Sequence, residues 1–103
     1  MAQLTVVYWR DIPAQVIVKK GRRDEAKIQL SERFEKAIDR AAMRAKLTGT
    51  DAYLAEWRRA DPVDCSADLE AEATAAAARL EADYPDDRLA RLVAAGGLED
   101  KPA

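Results

Sequence analysis

Cations and aromatic rings near the start of the chain are the residues whose types and spacing could most readily bind a partner. Tyr8, Trp9 and Arg10 follow one another, and the run 19–23 places four cations around one glycine. Aromatic rings beside cations suit single-stranded nucleic acid. The same cations suit a phosphorylated ligand or an acidic protein. The candidate binding surface therefore consists of Tyr8, Trp9, Arg10, Lys19, Lys20, Arg22 and Arg23.

The basic run 19–23 also has a simpler interpretation as a solvated hairpin tip. Charges at such a tip keep a sheet soluble and discourage pairing at its edge. The net charge of the chain is −2, whereas nucleic-acid binders tend to be strongly basic. The sequence therefore favours the hairpin tip and leaves the nucleic-acid or phosphate-ligand site as an alternative.

Catalytic chemistry has few candidates in this sequence. The chain has no histidine and one cysteine, which excludes a Ser–His–Asp triad, an intrachain disulfide and a zinc site built on histidine or paired cysteines. Cys65 precedes a predicted helix, whose dipole would lower the pKa of the thiol, but Asp64 and Asp68 oppose that effect. An incidental or buried thiol is the favoured interpretation.

Acidic clusters at 61–68 and 83–87 supply the oxygen ligands that hard cations prefer, but neither has the spacing of an EF-hand loop. The four glycines match no phosphate-binding motif. We therefore expect no catalytic residue, no cofactor and no metal site. Carboxylates, lysine and arginine alone support some reactions, so the sequence leaves an enzyme open and favours a non-enzyme.

Charge is distributed unevenly along the chain. Residues 1–60 carry 13 basic and 8 acidic side chains, and residues 61–103 carry 4 basic and 11 acidic ones. Such a split indicates either a binding surface or two halves that attract each other. In the second case, acidic helices would pack on the basic half and partly neutralise it.

The start of the chain lacks the basic residues and the apolar run of a signal peptide. No apolar stretch is long enough to cross a bilayer. We therefore expect a cytoplasmic protein that does not enter a membrane.

Three strands are predicted in the first thirty residues. The segment 4–9 is apolar on both faces at a period of two, which is typical of a central strand. Residues 15–19 are rich in β-branched side chains, and residues 27–30 alternate between apolar and polar. Turn residues separate the three segments. The pattern predicts an antiparallel three-stranded meander.

A helix is predicted next, with Ser31 as its N-cap, an apolar stripe from Phe34 to Ala45 and Gly49 as its end. Residues 50–63 fit either a strand or a helical face, and a fourth strand is favoured because the segment is short, aromatic and bounded by Gly49 and Pro62.

Two further helices are predicted in the second half. Asp64 or Ser66 caps a helix with a stripe from Leu69 to Tyr84, in which the alanines allow close packing. A shorter helix buries Leu89, Leu92 and Val93 and ends at Gly96 and Gly97.

The predicted fold class is α+β: a two-layer sandwich in which an antiparallel sheet of three to four strands carries two to three helices on one face. Residues 1–97 form one domain, and residues 98–103 a flexible tail.

Four segments resemble a bacterial family described as a virulence factor. They are residues 6–16 (Val-Val-Tyr-Trp-Arg-Asp-Ile-Pro-Ala-Gln-Val), 30–34 (Leu-Ser-Glu-Arg-Phe), 37–43 (Ala-Ile-Asp-Arg-Ala-Ala-Met) and 50–54 (Thr-Asp-Ala-Tyr-Leu). The resemblance covers roughly residues 3–65. The matching region is similar to the N-terminal domain of conserved virulence factor C-type proteins, in which helical repeats follow that domain. At 103 residues, we expect this chain to lack such repeats.

The resemblance implies no catalytic residue or ligand. It does suggest an association with folate- and corrinoid-dependent methyl transfer, and hence an accessory subunit of a one-carbon enzyme. Three hypotheses of function remain open, one of which rests on this resemblance. The first is a small non-catalytic module that docks on another protein through the basic loop and the exposed side of Tyr8–Arg10. The others are the one-carbon accessory subunit and the nucleic-acid or phosphate-ligand binder.

Overall fold

A computed structural model describes residues 2–47 and 51–98 of the chain. It has a five-stranded antiparallel sheet and four helices, so the predicted α+β class is confirmed, with more strands and helices than expected. The elements are β1 (Ala2–Trp9), β2 (Ile12–Lys20), β3 (Asp24–Gln29), α1 (Glu32–Arg44), α2 (Asp51–Ala55), β4 (Trp57–Arg59), β5 (Val63–Cys65), α3 (Leu69–Asp83) and α4 (Asp86–Ala94).

Strands β1, β2 and β3 form the predicted meander. Val6 lies opposite Val16, which lies opposite Ile28 in β3. Because cross-strand partners share a face, these residues make one apolar face. Strand β3 begins three residues earlier than predicted, since Gly21 adopts a positive φ of 69° that closes a tight turn after β2.

The structure corrects the prediction of one fourth strand over residues 50–63, because this segment divides into different elements. Within its described part it forms helix α2 and then strand β4, and β5 begins only at its last residue. Both short strands pair antiparallel with the same edge of β1. The register of β4 with β1 differs by one residue from the register of β5 with β1, and Asp61 and Pro62 lie between the two short strands. Proline cannot donate a hydrogen bond to a ladder, and it is tolerated at such a break.

Helix α3 packs across β1, β2 and β3. Its buried residues are Ala73, Ala76 and Ala77, and their small side chains let the helix approach the sheet closely, as predicted. The N-cap is a correction: the Asp68 carboxylate, rather than Asp64 or Ser66, accepts the bond from the Ala71 amide. Asp64 is instead occupied in β5.

Helix α1 buries the predicted stripe, including Phe34 and Ile38. Its capping differs from the prediction, because the Ser31 hydroxyl donates to Glu81 at 2.8 Å rather than bonding a first-turn amide. The helix ends at Arg44, and Lys46 takes a left-handed conformation with φ 61°. The predicted terminator, Gly49, lies outside the described residues.

Helix α4 ends as predicted. The Gly97 amide bonds the Leu92 carbonyl at 2.7 Å and the Gly96 amide bonds Val93 at 3.0 Å, which is the Schellman arrangement with glycine in the left-handed position. Of the predicted tail, only Leu98 is described. None of the described helices is both long and apolar enough to span a bilayer.

Arg33 forms ion pairs between the two charged halves of the chain. Arg33 of α1 pairs with Glu81 at 3.1 Å and with Asp86 at 3.4 Å, and its guanidinium also bonds the Tyr84 carbonyl. Arg10 and Glu56, in contrast, pair within the same half. The ion pairs of Arg33 therefore join α1 of the basic half to α3 and α4 of the acidic half.

Candidate interaction groove

Trp9 belongs to the hydrophobic core and not to the surface. Its side chain has no solvent exposure, and its indole Nε1 donates to the Tyr53 carbonyl at 3.0 Å. A Cβ atom on Gly97 would lie 2.7 Å from the Trp9 ring, so glycine is the residue that fits there. Placing Trp9 in an exposed binding surface is therefore a correction.

The register of the β1–β2 pair changes next to Trp9. Val7 lies opposite Gln15, but Tyr8 lies opposite Pro13, so Ala14 is an extra residue in β2. Such a bulge re-aims the side chains beyond it. Beyond the bulge, Trp9 pairs with Ile12, which is also fully buried.

Arg10 joins three parts of the fold. Its φ of 53° closes the turn between β1 and β2, and its Nη1 donates to the Gly96 carbonyl at 3.0 Å. The Arg10 amide bonds the Glu56 carbonyl at 3.1 Å. Arg10 Nε lies 3.4 Å from a Glu56 carboxylate oxygen, close enough for an ion pair but not aligned for a hydrogen bond. Arg10 therefore has a structural role, because it joins the β1–β2 turn to the end of α4 and to the residue before β4.

Tyr8 is covered on one side by an arginine. The Arg58 guanidinium lies 4.5 Å from the centre of the Tyr8 ring. Arg58 also donates to the Arg10 carbonyl at 2.9 Å and pairs with Asp11 at 3.2 Å. Residues 8–13 thus form the turn end of the β1–β2 hairpin. Arg58 of β4 holds this turn through its contacts with Tyr8, Arg10 and Asp11.

The basic loop lies at the opposite end of the sheet. Lys19 pairs in register with Gln3, whereas Trp9 pairs with Ile12. At ~3.3 Å per residue, six residues of β1 separate the two ends by roughly 20 Å. The predicted binding surface therefore divides into two groups that do not adjoin.

Within the loop, Lys19 forms an ion pair with Glu25 at 3.3 Å. Lys20, Arg22 and Arg23 are exposed and form no ion pair with a described residue. These three cations remain available to an external anion.

A groove that the sequence did not identify runs along the end of the sheet near β4. Its larger part has a volume of about 460 Å³, and Trp57 stands at its wall with 37% of its surface exposed. The residues that line this part are Val7, Ala14, Gln15, Gln29, Trp57, Arg58 and Arg59.

The groove continues toward α1 as a smaller recess of about 250 Å³. Ala14, Gln29 and Trp57 line both parts, so the two are continuous. The smaller part adds two acidic residues of α1, Glu35 and Asp39, together with Tyr53 and apolar side chains. The groove therefore has arginines at one end and carboxylates at the other.

Three aromatic rings support the wall of the groove from within. Tyr53 lies 5.6 Å from Trp9 and 6.3 Å from Trp57, and it meets Trp57 edge to face at 81°. Trp57 is also fixed by strand pairing with Trp9. The partly exposed indole is consequently held by the buried one through Tyr53.

The chemistry of the described residues gives little support to a metal or thiol site. They hold no cluster of three or more residues able to bind a metal ion. Burial raises the pKa of the Cys65 thiol, and the negative charges of Glu72 and Asp64 raise it further, which makes the thiolate scarcer and the thiol a poorer nucleophile.

The fold and the groove define a small α+β domain with an aromatic-lined groove at one end of its sheet. The chain belongs to the family described as "Virulence factor", whose pattern matches residues 7–93. This match confirms the resemblance seen in the sequence and extends it through α3 and most of α4. No curated protein and no solved structure matches the chain.

Sequence reasoning missed the residues that line this groove. Tyr53 and Trp57 fall in the segment whose pattern fitted both strand and helix, and Arg58 and Arg59 follow immediately. The available signal was a tryptophan in a short segment without a continuous apolar face. The acidic wall from α1 is brought there by tertiary packing alone.

Proposed function

We propose that this chain is a non-catalytic protein-interaction module and that the groove beside Trp57 is its docking site. The observation that carries the proposal is the partly exposed Trp57 beside two arginines in a groove of about 460 Å³. Tryptophan and arginine are enriched among the few residues that dominate binding at protein interfaces.

The proposed site is rigid before a partner arrives. Trp57 is supported by Tyr53, and Arg58 is held by Asp11, by the Arg10 carbonyl and by stacking on Tyr8. Side chains that are already ordered lose less conformational freedom on binding. This preorganisation favours a docking site over an incidental surface.

Affinity capture from the native cytoplasm, followed by mass spectrometry, tests the proposal. Wild type and Leu54→Ala should retain a stoichiometric protein partner, and Trp57→Ala should lose it. Leu54 is 63% exposed and does not line the groove, so it is the matched control. Circular dichroism must show that both variants are folded. Full retention of the partner by folded Trp57→Ala would refute the groove as the docking site.

A second candidate function is binding of a nucleic acid or phosphorylated ligand by the basic loop. Its support is the exposure of Lys20, Arg22 and Arg23, which form no ion pair with a described residue. Binding of a single-stranded oligonucleotide should weaken steeply with salt and fall in Arg22→Ala/Arg23→Ala. Binding that persists at high salt would contradict phosphate contacts.

The identity of the captured partner bears on the remaining alternative. A partner from folate or corrinoid metabolism would support the accessory role in one-carbon chemistry, and nuclease-sensitive material would favour the basic loop. The cytoplasmic location expected from the sequence remains a prediction, which fractionation of cells producing the tagged protein would check.

A further inference from the structure

The acidic end of the groove has features that go beyond a general docking surface. Tyr53 and Trp57 meet there at an interplanar angle of 81° and form two walls of the recess. Glu35 and Asp39 lie one helical turn apart on α1 and line the same recess. A space of about 250 Å³ is thus enclosed by aromatic rings and carboxylates together.

Two carboxylates in this recess lack a cationic partner in the described part of the chain. Neither Glu35 nor Asp39 forms an ion pair with any residue in 2–47 or 51–98. Burial raises the pKa of the Tyr53 phenol, and the negative charge of Asp39 and, less strongly, that of Glu35 raise it further. The two carboxylates therefore lie close enough to the aromatic wall to act on the ionisation of Tyr53.

Aromatic faces and carboxylates are the groups that recognise organic cations. A ring attracts a cation through its quadrupole, and arginine also stacks on it. A carboxylate adds a charge-assisted hydrogen bond. Resting on the proposed function, we propose that this recess receives a basic side chain, arginine or lysine, of the partner protein.

The rest of the groove indicates that the cation belongs to a polypeptide. The recess opens into the larger part of the groove, where the amides of Gln15 and Gln29 are available to hydrogen-bond a peptide backbone. Arg59 is exposed at the far end and has no ion-pair partner among the described residues. A segment with a basic residue followed by an acidic one would therefore match the charges at both ends.

Nuclear magnetic resonance with a defined probe tests this inference. The probe is a capped tripeptide, Arg-Leu-Asp, and its matched control carries citrulline, which has the size of arginine without the charge. The arginine peptide should shift the indole N–H resonance of Trp57 saturably. Citrulline should weaken binding about tenfold, because it removes the cation–π and charge-assisted contacts.

Variants of the protein provide the second comparison. Glu35→Gln/Asp39→Asn should weaken binding of the arginine peptide by a similar factor. Glu32→Gln/Glu70→Gln removes two exposed carboxylates outside the groove and should leave binding unchanged. Both variants must retain the wild-type circular dichroism spectrum.

Several results would overturn the inference. One is equal binding of the arginine and citrulline peptides, and another is no shift of the Trp57 resonance with the arginine peptide. Equally strong binding of tetramethylammonium would indicate a free organic cation instead of a protein side chain. If the cation has no effect while Trp57→Ala still abolishes partner capture, the docking function stands and only the choice of partner chemistry fails.

Discussion

Replacing Gly97 with alanine tests whether the contact between α4 and Trp9 is as close as the structure indicates. The new Cβ would lie 2.7 Å from Trp9 Cζ3 and 3.1 Å from Cε3, at a residue whose φ is 93°. Contacts below 3.0 Å do not occur for a real Cβ, so the buried indole or the end of α4 must move.

The magnitude has two parts. An L-residue with a left-handed backbone costs roughly 1–2 kcal/mol, and overpacking a well-packed core typically costs a further ~1–3 kcal/mol. Gly97→Ala should therefore lower the free energy of unfolding by about 2–5 kcal/mol, a large part of the ~5–15 kcal/mol available to a small domain.

Gly21 and Gly96 supply the matched controls. Gly21 has φ 69° with no atom within 4 Å of the built Cβ, so Gly21→Ala should show the backbone term alone. Gly96 has φ 72° and an ordinary contact with Ala45 at 3.4 Å, so Gly96→Ala should behave similarly. Urea unfolding followed by circular dichroism measures all three variants.

The difference between variants decides the outcome. Gly97→Ala should be less stable than Gly21→Ala by about 1–3 kcal/mol. If the two variants have equal unfolding free energies, the indole does not fill the space beside Gly97 and the packing described here is wrong. If Gly97→Ala fails to fold while Gly21→Ala and Gly96→Ala fold, the prediction is met at its upper limit.

Two further predictions concern α3. Ala73→Leu should lower the unfolding free energy by about 1–3 kcal/mol because Ala73 is fully buried against the sheet. Ala75→Leu, on the exposed side of the helix, should change the unfolding free energy by less than about 0.5 kcal/mol. Thermal unfolding compares the two variants. Burial alone would raise the pKa of Glu81, but hydrogen bonds from Ser31 and the charge of Arg33 lower it overall from 4.5. Ionised Glu81 therefore contributes stability above pH 4.5 that is lost as the pH falls through the lowered pKa, and the difference in unfolding free energy between wild type and Glu81→Gln should shrink over that interval.

Each of these two predictions has a result that would contradict it. Equal destabilisation by the two leucine variants would show that α3 does not lie on the sheet through Ala73. A wild type to Glu81→Gln difference that stays constant from neutral to acidic pH would show that the carboxylate does not need its charge for the contact with α1. Glu70→Gln, at an exposed residue in the first turn of the same helix, is the control for a general charge effect.

The distinctive residues of the family resemblance have a structural explanation in this fold. Trp9 fills the core against Gly97, and Arg10 joins the hairpin turn to the Gly96 carbonyl near the end of α4. Ile12 and Pro13 are both buried behind the turn. The Tyr-Trp-Arg-Asp-Ile-Pro segment therefore joins the β1–β2 turn to the end of α4, and the candidate groove is built around this junction.

Local patterns alone were sufficient for much of the fold. The period-two apolar runs predicted β1 and β2, and the stripe from Phe34 predicted α1, because alternation and the 3.6-residue repeat follow directly from backbone geometry. The terminator at Gly96 and Gly97 was equally clear, since a left-handed backbone favours glycine.

Other features depended on contacts between distant residues. The burial of Trp9 depends on contacts with Tyr53 and with Gly97, which is 88 residues farther along the chain. The division of 51–65 into α2, β4 and β5 follows from the pairing of two short segments with β1. Neither feature has a local signal, because both depend on which distant segments pack against β1.

The sequence by itself determined an antiparallel meander, amphipathic helices and the absence of histidine chemistry. The meander and the helices follow from periodicity, which is a property of neighbouring residues, and the absence of histidine chemistry follows from composition alone. Only the tertiary structure decided which aromatic rings are buried and which line a groove. Trp9 and Trp57 are both followed directly by an arginine, yet one fills the core and the other remains 37% exposed. The physical reason is that burial depends on which surfaces meet, and the groove is formed where β4, the bulge at Ala14 and α1 come together.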